Sequence, residues 1–298
     1  MRSFSVTVII CWLATDLFAA EPIEVWNGMP PGETVLNRGE VLPPRGTNRP
    51  PVTRVEKITQ PTMDAFPAEG EKRTDVGVII LPGGGFNYVV PDMEGAEIAR
   101  WLNGLGISAW VLRYRTKDGS DIAPWKRPMA DAQRAVSLIR SKAGELKIDP
   151  KKIGLMGISS GGQVGARVGV AGEARSYEGR DAIDRASCRP DFLMLIYPWN
   201  IWDAEKKELV PGARPTGKMP PTFLLHTHDD GSSSLGTVMY YAALKEMKVP
   251  AELHVYQAGG HGYGMRQRPG TAIHTWTERA ADWLRLETTG LGLAGGGK

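Results

Sequence analysis

Short apolar runs alternate with stretches of helical spacing through most of this chain. Runs of strand length fall at Val76–Leu81, Ser108–Leu112, Lys152–Met156, Phe192–Ile196, Thr222–Leu225 and Ala251–Tyr256. Between them, apolar positions recur at helical intervals over Glu94–Leu105, Met129–Ala143, Gly161–Val170, Leu235–Met247 and Ile273–Leu286. Short apolar runs in succession with helical segments predict βαβ units. The pattern therefore predicts an α/β fold with a mostly parallel, doubly covered sheet, whose ligand site lies at the carboxyl ends of the strands.

The flanks read differently. Residues 21–52 are rich in Pro, Gly and Asn and predict an irregular surface arm. Val52–Ile58 alternates like a strand, with Met63–Phe66 as its expected hairpin partner, so 21–75 reads as arm plus hairpin and 76–287 as one core domain. The glycine-rich segment 288–298 predicts a flexible tail. Within residues 1–20, Arg2 precedes the apolar stretch Val6–Leu13, and Ala19 and Ala20 follow. That is the form of a secretory signal peptide, and its apolar core is too short for a stable membrane anchor. A periplasmic or secreted protein is expected.

Composition narrows the classes further. The chain has 298 residues, 42% apolar and 23% charged, with a formal charge of +3. These values suit an ordinary globular domain, and no basic run interleaved with aromatics suggests a nucleic-acid partner. Of the two cysteines, Cys11 lies in the expected leader, which leaves Cys188 alone: no internal disulfide is expected, and Cys188 reads as a small, half-buried loop residue. Oligomeric state is left open.

Four segments carry chemistry, each just past a predicted strand. Gly157-Ile158-Ser159-Ser160-Gly161 has the spacing of a nucleophile elbow, in which small neighbours let the backbone turn sharply and present the Ser159 hydroxyl above the sheet. Pro82-Gly83-Gly84-Gly85-Phe86 matches neither a dinucleotide fingerprint nor a Walker loop. Its side-chain-free backbone can aim amides at an oxyanion, so Gly84 and Gly85, with the amide of Ser160, are the expected oxyanion donors. His226-Thr227-His228-Asp229-Asp230 admits two readings. It has the look of a metal site, but the further ligands such a centre needs are not evident. Alternatively it supplies the acid of a triad, for which Asp230 is favoured over Asp229, the latter suiting a turn-stabilising role. Gly259-Gly260-His261-Gly262 places a histidine on a glycine-rich loop that can reach a serine and an aspartate. The order Ser159, Asp230, His261 is that of α/β-hydrolases.

Several motifs carry a closer resemblance: Val25-Trp26-Asn27-Gly28-Met29-Pro30-Pro31-Gly32, Leu81-Pro82-Gly83-Gly84-Gly85-Phe86, Leu112-Arg113-Tyr114-Arg115, the Ser159 pentapeptide, Arg189-Pro190-Asp191-Phe192 with Tyr197-Pro198, and Gly259-Gly260-His261-Gly262. From about Glu24 onward the chain resembles the acetyl-xylan-esterase-like and feruloyl-esterase-like branch of the α/β-hydrolases. The resemblance implies an α/β-hydrolase fold and a serine esterase acting by Ser159, His261 and Asp230 on a small-molecule or polysaccharide ester, without cofactor or metal. Between Pro198 and Pro221 no long helical insertion is evident, so no large lid is expected. Trp199 and Trp202 are candidates to stack on a sugar ring or aromatic acyl group. A peptidase or formamidase on the same fold, or an inactive carbohydrate-binding homologue, are the alternatives.

Overall fold

A computed structural model describes residues 21–46, 51–117, 119 and 121–289. The expected signal peptide and most of the expected tail lie outside these residues. Eight strands form the central sheet: β1 (Ile23–Glu24), β2 (Thr62–Phe66), β3 (Gly77–Leu81), β4 (Ser108–Arg113), β5 (Ile153–Ile158), β6 (Phe192–Ile196), β7 (Thr222–Thr227) and β8 (Ala251–Tyr256). Their order across the sheet is β1-β2-β4-β3-β5-β6-β7-β8. β2 runs antiparallel to both β1 and β4, and the pairings from β4 through β8 are parallel.

Among the described residues, five α-helices cover the sheet: α1 (Glu97–Gly104), α2 (Lys126–Ser141), α3 (Ser160–Ala171), α4 (Leu235–Glu246) and α5 (Trp276–Thr289). Successive residues of each strand feed opposite faces, because side chains alternate across a pleated strand. In β3, Val78 and Ile80 join α1 and α5, whereas Ile79 and Leu81 join α2 and α3. β4 repeats this with Ala109 and Val111 against Trp110 and Leu112. Both faces are thus buried, which is why these strands read as unbroken apolar runs.

The N-terminal region departs from the expected arm and hairpin. Val55–Glu56 pairs with Glu40–Val41 and Tyr88–Val89 in a separate three-stranded sheet, while β2 pairs with β1 and β4 in the central one. The two segments expected to form a hairpin therefore enter different sheets. An isolated two-stranded ribbon is marginal in water. Pairing with β4 instead buries Met63 completely, and burying such a side chain contributes about 1.5–3 kcal/mol. Nor does the arm simply lie over the surface. Val25 and Trp26 enter the core, and the Trp26 indole N–H donates to buried Asp131 Oδ1 at 2.8 Å. Asp131 also pairs with Arg115, 99% buried, at 3.0 Å.

The segment between β6 and β7 carries a small antiparallel pair, Trp202–Asp203 with Glu208–Leu209, and no helix. Among the described residues, no helix is long and apolar enough to cross a membrane.

Candidate active site

The carboxyl ends of β3, β5, β6, β7 and β8 converge on one cleft. At the end of β5 the chain turns abruptly into α3. Ser159 sits in this turn at φ 53°, ψ −119°, a strained conformation for a residue with a Cβ. Three backbone bonds hold it there. The Ser159 amide donates to the Ile196 carbonyl at 3.0 Å, and the Ser159 carbonyl accepts from Trp199 at 2.8 Å and Gln163 at 3.2 Å. The flanking glycines are required by space: a Cβ on Gly157 would stand 2.3 Å from the Gly161 carbonyl oxygen, and one on Gly161 would stand 2.0 Å from that of Leu81.

Ser159 Oγ lies 2.7 Å from His261 Nε2, and His261 Nδ1 lies 2.7 Å from Asp230 Oδ2. A carboxylate can only accept, so Nδ1 carries a proton and Nε2 is free to accept from the serine hydroxyl. The Asp230 carboxylate is buried, which alone would raise its pKa. Hydrogen bonds donated by His226 and His261, the attraction of His261 and the Ser232 amide outweigh burial and bring it down to about 2. Asp229 turns elsewhere. Exposed to solvent, it accepts from the amides of Gly259, at 3.0 and 3.1 Å, and Gly260, at 2.8 Å, and so fastens the His261 loop to the end of β7.

The two histidines of the β7 segment separate. His228 is exposed, whereas His226 is fully buried. His226 Nε2 meets the Ser232 carbonyl at 2.8 Å and Asp230 Oδ2 at 3.1 Å, and Nδ1 meets Thr237 Oγ1 at 2.7 Å. Because the Ser232 carbonyl only accepts, Nε2 carries the proton. Among the described residues, no group of three or more His, Cys, Asp or Glu side chains is arranged to hold a metal ion.

Opposite the elbow lies the glycine loop that follows β3. Gly84 has φ 140°, and a Cβ there would stand 1.8 Å from the Tyr88 carbonyl oxygen. The Ser160 amide opens α3 and so has no acceptor within the helix, while the helix dipole favours negative charge at that end. The Gly85 amide donates to Ser160 Oγ at 3.0 Å. Tyr114 Oη gives its proton to the Pro82 carbonyl at 2.5 Å, so the Ser160 hydroxyl donates to Tyr114 Oη across 3.3 Å. The tyrosine of the Arg-Tyr-Arg motif thereby braces the glycine loop.

One buried group carries no local signal in the sequence. Glu94, 3% exposed, belongs to a π-helical turn, Asp92–Ala96, just ahead of α1. Its Oε2 accepts from the Gly83 amide at 2.8 Å and its Oε1 from Tyr197 Oη at 2.9 Å. Burial raises its pKa, against the opposing effect of those two bonds. Tyr197 Oη in turn accepts from the Gly264 amide at 3.0 Å, and its ring packs edge-on against His261 with centroids 5.0 Å apart. Glu94 thus links the glycine loop to the histidine loop. Trp199 lines the cleft, edge-on to Phe86. The structure does not bring Trp202 there; it packs over Gly236 at the start of α4.

The BD-FAE family model matches residues 63–192. The chain is 30% identical to an acetyl ester-xyloside bifunctional hydrolase from Caldicellulosiruptor lactoaceticus of known structure, over 87% of this chain and 99% of that one, with a TM-score of 0.66. An acetylxylan esterase of Xylanibacter ruminicola is 27% identical over 67% of this chain and 42% of its own length. Endo-1,4-beta-xylanase B of Butyrivibrio fibrisolvens is 29% identical over 62% of this chain and 32% of its own. The chain thus spans less than half the length of either curated relative. Sheet order, the arrangement around Ser159 and the nearly full-length match to the Caldicellulosiruptor hydrolase agree: the chain belongs to the α/β-hydrolase superfamily, in its branch of acetyl-xylan-esterase-like and feruloyl-esterase-like carbohydrate esterases.

Proposed function

We propose that this protein is a secreted serine esterase that hydrolyses short acyl esters, acetyl above all, on polysaccharides or oligosaccharides. The observation that carries this reading is the unbroken chain of contacts from Ser159 through His261 to Asp230, at 2.7 Å each. Acetyl esters of a glycan are favoured by the relatives named for acetylxylan and acetyl ester-xyloside hydrolysis. Export rests on the basic, apolar and small-residue order of residues 1–20.

Ser159 Oγ attacks the ester carbonyl while His261 Nε2 takes its proton, and the imidazolium so formed is stabilised by Asp230. The tetrahedral oxyanion is received by the amides of Gly84, Gly85 and Ser160, the Gly85 N–H exchanging the Ser160 hydroxyl for the developing charge. His261 then protonates the leaving sugar alkoxide. Water attacks the acyl-enzyme by the same route and regenerates Ser159. Trp199 offers a flat apolar face beside the nucleophile for the sugar or acyl group.

The test is turnover of 4-nitrophenyl acetate and of a panel of acetylated oligosaccharides, peptides and aryl formamides, with Ser159→Ala as control. Fast turnover of the acetylated sugars, lost by about 10⁶-fold in the variant, is expected. Full activity of Ser159→Ala would falsify the serine mechanism. Preference for peptides or formamides would reassign the substrate, and no turnover together with no fluorophosphonate labelling would mean a binding protein.

A further inference from the structure

Hydrolysis of a neutral ester leaves one property of the cleft unused. The cleft encloses about 860 Å³, and its lining includes Arg45, Arg54, Arg266 and Arg268. Two carboxylates line it as well, Glu94 and Asp230, and both are committed to the internal contacts described above. The lining therefore carries four cationic side chains against two carboxylates, in a chain that is nearly neutral as a whole.

The four arginines are not equivalent. Arg266 is answered by Glu97 at 2.6 Å, and Asp92 adds to its field. The other three donate to neutral oxygens. Arg54 donates to the Pro43 carbonyl at 2.5 Å, Arg268 to the carbonyls of His261 and Gly262 at 2.9 and 3.0 Å, and Arg45 to the Tyr88 hydroxyl. Arg45 and Arg54 are also ordered in advance. Their guanidinium carbons lie 5.7 and 5.6 Å from the centroid of the Tyr88 ring, and Tyr88 is held in the small sheet beside the glycine loop. Arg54 Nε is buried without a hydrogen-bond partner. A buried donor without a partner costs free energy, and an incoming anion offers the guanidinium a further acceptor.

We propose that this rim selects esters that also carry a carboxylate, and specifically acylated acidic glycans in which a sugar carboxylate lies close to the acylated sugar. The planar guanidinium fork matches a carboxylate with two parallel hydrogen bonds, and groups already held against Tyr88 lose little freedom on engaging it. Arg268 binds the backbone of His261 itself, so an anion drawn to it lies next to the catalytic centre. The inference rests on the esterase reading of the same cleft. The same chemistry could be met from the acyl side by a dicarboxylic acyl group, and the experiment separates the two sources.

Values of kcat/KM are measured for acetylated oligosaccharides with and without a uronate residue, and for 4-nitrophenyl hemisuccinate against 4-nitrophenyl butyrate. The uronate-bearing glycan is expected to be preferred by about tenfold or more, as a charge-assisted contact implies. The preference should shrink at about 1 M NaCl, where the Debye length is about 3 Å. Arg54→Gln and Arg268→Gln should each lower the ratio, and Arg54→Lys, which keeps charge without the fork, should retain part of it. The ratio is read within each variant, so a general loss of activity does not obscure it. Calorimetric titration of the Ser159→Ala protein gives a second readout, in which the acidic oligosaccharide binds more tightly than the neutral one by a similar factor. Equal turnover of acidic and neutral glycans overturns the rim assignment while leaving the esterase reading intact. A preference for the hemisuccinate without one for the uronate overturns the glycan assignment and moves the anion to the acyl side. If no ester turns over, both readings fall together.

Discussion

His226 Nε2 donates to Asp230 Oδ2 at 3.1 Å, sharing the oxygen that receives His261 Nδ1 at 2.7 Å. One carboxylate oxygen is thus gripped by two histidines, one buried beneath it and one facing the cleft. The buried histidine stabilises the ionised carboxylate without touching Ser159.

Replacing His226 by Ala should remove one of the donors to Asp230 and leave the Thr237 hydroxyl unpaired. Loss of such a buried bond costs about 1–3 kcal/mol of stability. Ester turnover should fall as well, with the acid limb of the pH–kcat/KM profile displaced to higher pH, because without this donor the Asp230 carboxylate takes up a proton more readily. Thermal unfolding together with the pH profile checks this, and an unchanged profile would assign His226 a packing role alone.

Asp229 should act through the loop it holds. Asp229→Ala frees the amides of Gly259 and Gly260, and kcat should drop by about 10–100-fold with KM little changed, as expected when a reacting group is misplaced rather than removed. Asp229→Asn, which keeps an acceptor oxygen, should recover part of the loss. Steady-state kinetics on one small ester distinguish these outcomes.

Glu94→Ala orphans the Gly83 amide and the Tyr197 hydroxyl, at a cost of about 1–3 kcal/mol for each unmet group, and should also lower kcat by loosening the glycine loop. Glu94→Gln should cost less on both counts. Because burial raises its pKa, the folded protein holds this proton more tightly than the unfolded chain. Its contribution to stability is therefore full at acid pH and declines as pH rises above the ordinary carboxylate value of 4.5. Denaturation midpoints measured from pH 4 upward should decline less in Glu94→Gln than in the wild type.

Acid should act oppositely at Asp181. The fork of Arg134 brings its carboxyl from 3.8 to about 2, assisted by the Ile183 amide against a weaker effect of burial. Its contribution is present above pH 3.8 and is lost as pH falls through about 2. The wild-type melting temperature should decline across that window, and Asp181→Asn should be less stable at neutral pH with a flatter decline. Equal slopes for the two proteins would exclude the pairing as an acid-labile contact.

What the sequence determined by itself was whatever depends on local spacing. Apolar runs at Val76–Leu81 and Phe192–Ile196, separated by helical periods, suffice to specify strands covered on both faces, because burial on both sides removes polar alternation. Gly157 and Gly161 around Ser159 are likewise legible, since a tight turn needs small residues at set intervals. The ordering of the glycine loop, Ser159, Asp230 and His261 along the chain could be read in the same way. Tertiary structure decided what depends on residues distant in sequence. Val52–Ile58 and Met63–Phe66 look like hairpin partners over a short range, yet β2 gains more from the side of β4 than from its neighbour. Position in the loop favours Asp230 over Asp229 as the acid, but the approach of the His261 loop from the end of β8 is what gives one the imidazole and the other the loop amides. Trp199 and Trp202 lie three positions apart in the segment between β6 and β7, and which of them lines the cleft follows from the path of the chain. Glu94 has no local signal, because its partners lie 11 and 103 residues away and its role exists only where the glycine loop and Tyr197 meet.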